Sequence, residues 1–129
     1  MNKIIVEVSV GELLDKISIL EIKQEKIKDS EKLKFILDEH SILKDQLENN
    51  VKSDEKLENL FHSLKMINAK LWVIEDDKRQ CEKNKDFGEK FIKLSRDVHF
   101  LNDDRAKIKL EINNHTCSKI KEIKEYTSY

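Results

Sequence analysis

A chain of 129 residues with no proline and only two glycines holds almost nothing that stops a helix. Proline and glycine are the costliest residues inside a helix, so their scarcity constrains the fold more than any motif does. The apolar residues fall at helical spacing through most of the chain. Helix breaks must therefore come from capping chemistry and short polar runs.

Residues 3–8, KIIVEV, are the exception. They are rich in β-branched residues and too short for a helix, so they read as an extended segment. Ser9 with Glu12 three residues on forms a capping-box signature, opening a first helix over about Val10 to Lys28. Its stripe is Leu13, Ile17, Leu20, Gln24 and Ile27. Leu14, Ile19 and Ile22 lie off that stripe, so this helix should touch more than one neighbour. Asp29-Ser30 stops it and caps a second helix, Glu31 to Glu48, with His40 on its apolar stripe. Asn49-Asn50 and Ser53-Asp54 mark the next break.

The third helix, Asp54 to Asn84, has the most regular seam: Leu57, Leu60, Leu64, Ile67, Leu71, Ile74, Lys78 and Cys81. A capping box at Asp86 and Glu89 opens the fourth. Its seam is Phe87, Phe91, Leu94, Val98, Leu101, Arg105, Ile108 and Ile112, with Arg105 the one polar member. The predicted fold is all-α: an elongated, antiparallel up-down bundle of about four helices, the third and fourth longest, with coiled-coil-like seams. It forms one domain over residues 1–129, with residues 1–8 extended and a partly ordered tail over 115–129.

Lys and Arg number 25 against 26 Asp and Glu, for a net charge of −1. This balance gives no global attraction to nucleic acid or anionic lipid. No stretch reaches the roughly 18 apolar residues of a membrane span, and no secretory signal is legible. Cys81 and Cys117 make no disulfide framework. The expected location is the reducing cytoplasm.

Short breaks favour antiparallel neighbours. Turns near residues 29, 51 and 85 then bring Arg105 level with Lys65 and Glu21, and Asn102 level with Asn68 and Gln24. Glu21, Gln24, Asn68, Asn102 and Arg105 are thus predicted to form one polar layer. A guanidinium on the seam needs an acid, Glu21 first and Asp15 second. The layer either fixes register or holds a small anionic ligand anchored on Arg105. A second cluster joins Trp72, Glu75, Asp76 and Arg79 on one stretch of helix with Arg96 facing them. Here Glu75–Arg79 is an i,i+4 pair and Trp72 a packed edge or cation–π surface. The hairpin from Ile74 to Leu94 should project beyond the first two helices. Its exposed apolar seam predicts a homodimer formed through that tip, or a protein partner.

Histidines 40, 62, 99 and 115 show no metal spacing, and no nucleophile elbow, phosphate loop or CxxC occurs. No cofactor is expected. The rival reading is a Mg²⁺-dependent hydrolase or transferase acting on nucleotides or nucleotide sugars, because acids recur at Glu12/Asp15, Glu75/Asp76/Asp77 and Asp103/Asp104. GELLDKI and EDD have a loose likeness to MazG-type pyrophosphohydrolases, but EExxE is absent and ExxD occurs once, at Glu12–Asp15.

The blocks EVSVGELLDKISILEIKQEKI, LWVIEDDKR and FIKLSRDVHFLNDDRAKIKLEIN, with the closing KEY–SY, resemble a family of short bacterial and phage-borne proteins classed as a domain of unknown function. The family pattern, roughly ARSVYxTNDRRAxIKxxIN, has counterparts here in Ser95, Arg96, His99, Asn102, Asp103 and Arg105. His99 stands where tyrosine is usual, Asp104 where arginine is usual, and Cys117-Ser118 where GS is usual. A proline frequent near position 30 is replaced by Ser30. Family members found beside glycan-related and repeat-containing proteins imply a surface-glycan setting. The resemblance implies no activity.

Overall fold

The computed structural model describes residues 2–129. They contain four helices and no strand: α1 (Val10–Lys26), α2 (Ser30–Asn50), α3 (Glu55–Lys83) and α4 (Glu89–His115). Three of the four helix starts obey side-chain capping. Ser9 accepts from Glu12 N, Asp29 from Glu31 N and Lys32 N, and Asp54 from Leu57 N, each satisfying first-turn amides that have no helical partner.

The expected Asp86–Glu89 box does not form. The Asp86 carboxylate accepts instead from Gly88 N at 3.1 Å, and Gly88 caps α4 without a side chain. The turn before it explains why. Asp86 N donates to Cys81 O at 2.8 Å, with Lys85 in the left-handed region at φ 55°. This is a Schellman closure made without glycine. α4 ends the same way, with Cys117 at φ 53° and Ser118 N donating to Asn113 O at 2.9 Å.

α1 is the central element. It packs on all three other helices, as its off-stripe leucines and isoleucines predict, and it buries Leu14, Ile17, Leu20 and Ile22. Leu14, Leu57, Leu64 and Ile112 form the core cluster, with Val10, Leu47, Val51, Leu60, Phe61 and Ile108 packed around it. α3 and α4 run antiparallel. His115 Nε2 lies 2.8 Å from Asp54 at one end, and Lys78 Nζ stands 6.0 Å above the Phe91 ring at the other. α2 contacts α1 and neither α3 nor α4 among the helices.

Past residue 70, α3 and α4 have lost the cover of α1. Between 70 and 101 the only fully buried residue is Cys81. The hairpin thus projects as a bare arm, its tip closed by Phe87 and Phe91 edge-to-face at 5.6 Å. The tail turns back along α4, where the Tyr129 ring meets Phe100 at 5.5 Å and its hydroxyl donates to Asp103.

Candidate functional site

The polar layer exists, and Asp15 is its hub. This carboxylate is the second choice of the sequence reading; its side chain is only 3% exposed. Arg105 grips it side-on, with Nε donating to Oδ1 at 3.0 Å and Nη2 to Oδ2. Asn68 Nδ2 donates to the same Oδ1 at 2.8 Å and also reaches Ser18 Oγ at 2.8 Å. Ser18 in turn donates to the Asp15 carbonyl at 2.8 Å. Three helices are stitched at one level by a network that leaves no member without a partner.

Lys109, one turn along α4, extends the layer. Its Nζ binds Glu12 Oε2 at 2.8 Å and Glu122 Oε1 at 3.0 Å, and stands 3.9 Å from Asp15 Oδ2. Burial pushes the Asp15 carboxyl up. Hydrogen bonds from Arg105 and Asn68, with the charges of Arg105 and Lys109, outweigh that and hold it below the usual carboxylate range. The bond to Asp15 is likewise what raises Arg105 most. Burial lowers the Lys109 ammonium, and its bonds to Glu12 and Glu122 more than restore it. The layer holds three carboxylates, Glu12, Asp15 and Glu122, against two cations, Arg105 and Lys109. It therefore offers no surplus positive charge.

Glu21 is not in this layer. It pairs with His40 Nε2 at 3.1 Å and Lys65 Nζ at 3.3 Å. The predicted register was carried from helix to helix through α2, but α2 and α3 are not neighbours, so α1 sits about one and a half turns away from that position. The α3–α4 register, set by one short turn, agrees with expectation. Asn102 reaches the layer only from its own helix, accepting from Arg105 Nη1 at 3.5 Å. Gln24 lies elsewhere, and its Nε2 is buried with no hydrogen-bond partner among the described residues.

The second predicted cluster does not assemble. Trp72 is half-buried, and Glu75, Asp76, Arg79 and Arg96 are exposed with no ion pair among them. The Glu75–Arg79 pair is absent because two solvated ends gain little by meeting in water.

Sequence reasoning missed the contact that seats α1 on α4. Gly11 N donates to Asn113 Oδ1 at 2.7 Å, and Asn113 is fully buried. A Cβ on Gly11 would lie 2.7 Å from the Lys109 carbonyl oxygen. Val10 N donates to Ser118 Oγ at 3.1 Å and Glu12 N to Ser9 Oγ at 3.0 Å. The first-turn amides of α1 are thus engaged internally and offer nothing to an anion. The signal was present: one of only two glycines stands in a helix's first turn.

A cleft of about 780 Å³ separates α4 from the tail, bordered by Asn102, Arg105, Lys109, Asn113, Lys124 and Tyr129. An apolar groove of about 700 Å³ lies between α3 and α4, lined by Met66, Ala69, Val73, Ile74, Phe100 and Leu101, with Lys70 and Asp97 at its rims. Among the described residues, no group of three or more His, Cys, Asp or Glu is placed to hold a metal ion. No helix among them is long and apolar enough to cross a membrane.

No curated protein and no solved structure matches the chain. Residues 4–129 match the family of unknown function DUF6165. That span takes in the cap at Ser9, all four helices and the tail that reaches Asp103, so the chain belongs to this family of unknown function.

Proposed function

We propose that the protein is a non-catalytic helical interaction module that associates with a second copy of itself through the α3–α4 arm. The carrying observation is the apolar groove along that arm, with Met66, Val73 and Phe100 about half exposed. Isolated apolar residues are ordinary on a surface, but a contiguous apolar groove is not.

Charge supports a like partner. Residues 74–94 carry six acids and six bases, so two arms meet without net repulsion. Two adjacent helices span about 20 Å, and Met66 to Lys83 runs about 26 Å at 1.5 Å per residue. The resulting footprint of about 500 Å², before side-chain relief, approaches the ~800 Å² per partner of a standard interface. Paired arms complete a four-helix arrangement in which both grooves are covered. The Asp15 layer then serves as a register lock that sets where the arm leaves the body.

The small-anion reading has less support. The cleft borders Arg105 and Asn102, but the layer beneath it holds more carboxylates than cations. The Mg²⁺ reading has less still, because the acids do not gather and Asp103 is tied to Tyr129 and Lys124. The test is Val73→Glu. Wild type is expected to sediment above monomer mass, increasingly with concentration. The variant should keep the helical spectrum and lose the arm contact. A wild-type mass that stays monomeric at every concentration would sink the proposal.

A further inference from the structure

The N-terminal segment carries an unused device. Residues 2–8 lie in no helix or strand and are exposed, with Ile4 at 87% and Ile5 at 81%. None of their backbone groups has a hydrogen-bond partner within the described chain; the one polar tie is Lys119 Nζ to Glu7 at 3.7 Å. A β-branched run with a free row of N–H and C=O groups is a template for another strand.

The side-chain order says which strand. In an antiparallel pair centred on Ile5, Lys3 of each chain lies opposite Glu7 of the other, and Ile4 lies opposite Val6. Each relation occurs twice by symmetry. A centre one residue later places Lys3 opposite Ser9 and Glu7 opposite Ile5, and the charge match disappears. One face of the ribbon is then Ile4, Val6 and Val8, while the other carries Ile5 between two opposite-charge pairs. We propose that residues 2–8 form a two-stranded antiparallel ribbon with the same segment of a second copy, centred on Ile5.

The ribbon is a contact separate from the arm. Val8 borders a crevice with Val51, Asp54, His115 and Lys119, at the end of α3 and α4 away from the Lys83–Gly88 tip. α3 alone sets about 43 Å between the two poles. A lone two-stranded ribbon is marginal in water, so a weak association is expected.

The test uses the full chain with Cys117→Ser, since Cys117 is the exposed thiol, and Ile5→Cys carrying a nitroxide. Dipolar spectroscopy should show a short spin–spin distance, because Ile5 faces its own copy across the twofold axis. Lys3→Glu alone and Glu7→Lys alone put like charges opposite each other twice and should weaken ribbon association about tenfold. The double exchange, Lys3→Glu with Glu7→Lys, restores the match and should recover it. A long or absent spin distance overturns the ribbon, and so does a double exchange no better than the singles. Val73→Glu leaves the spin distance in place if the arm and ribbon are independent, so failure of one proposal is distinguishable from failure of the other.

Discussion

Replacing Arg105 with methionine separates a buried ion pair from an incidental surface contact. Methionine keeps most of the length and loses every donor. Asp15 would then stay buried with Asn68 Nδ2 at 2.8 Å and Lys109 Nζ at 3.9 Å as its remaining support. Breaking a buried pair by removing one partner typically costs about 3–5 kcal/mol. The surviving Asn68 donor, the nearby Lys109 charge and an Arg105 side chain that is itself 29% exposed place the expected loss near the lower end, about 3 kcal/mol at neutral pH. For a chain of this size that is roughly 10 °C in melting temperature.

The pH dependence makes the expectation sharper. In the wild type the Asp15 carboxyl is held below its unfolded value. Its stabilising contribution is therefore complete above the unfolded pKa, about 3.9, and fades as pH falls through the lower folded value. In the variant, burial meets less opposition and the folded pKa moves up. Acid then neutralises the stranded carboxylate and relieves the variant. The gap in melting temperature should narrow as the pH drops below about 4, because both proteins approach a protonated Asp15. Thermal melts followed by circular dichroism across a pH series would measure this. A neutral-pH gap under about 2 °C, or a gap independent of pH, would show that the pair does not hold the layer. Exchanging both partners, Asp15→Leu with Arg105→Met, should recover much of the loss.

Gly11→Ala should destabilise by about 1–2 kcal/mol, although alanine is the better helix former, because the added methyl meets the Lys109 carbonyl backbone. Chemical denaturation would show it, and an equal or more stable variant would mean that α1 does not approach α4 so closely. Tyr129 should titrate above the ordinary tyrosine range, since its hydroxyl donates to Asp103 and ionisation would set two anions together. Tyr129→Phe should remove that late component from an ultraviolet titration; an unchanged curve would detach the tail from α4.

The helices were legible because their caps and seams are local. Ser9, Asp29 and Asp54 announce helix starts through side chains that accept from the next turn. The α3–α4 register was legible too, since one short turn fixes it. The ends of α3 and α4 were placed within a residue or so, but the left-handed closures at Lys85 and Cys117 were not legible, because neither is a residue that favours that region. The polar layer was half legible. Arg105 stood out as the one charge on an apolar seam, and Asn68 and Asn102 were placed near it. Its partner was misranked because the register passed through α2, a helix whose backbone neighbours α1 and neither α3 nor α4. Glu75, Arg79 and Arg96 looked like a cluster because helical spacing aligns them, yet spacing brings side chains only within reach. In water, reach alone does not make a pair.

The attachment of α2 to α1 alone gives the molecule two stabilities rather than one. α1, α3 and α4 share the core cluster and the Asp15 network, so they are expected to melt together. α2 buries only Ile36 among its own residues and leaves Phe35 and Ile42 largely in solvent. Opening α2 from α1 would cost that anchor, the partly buried Leu33, Leu43 and Leu47 and the His40–Glu21 contact, and would leave the other three helices most of their shared core. Such an opening leaves the arm's base intact while baring the apolar side of α1. α2 is thus the helix expected to exchange its amide hydrogens ahead of the other three, through a local opening separate from unfolding.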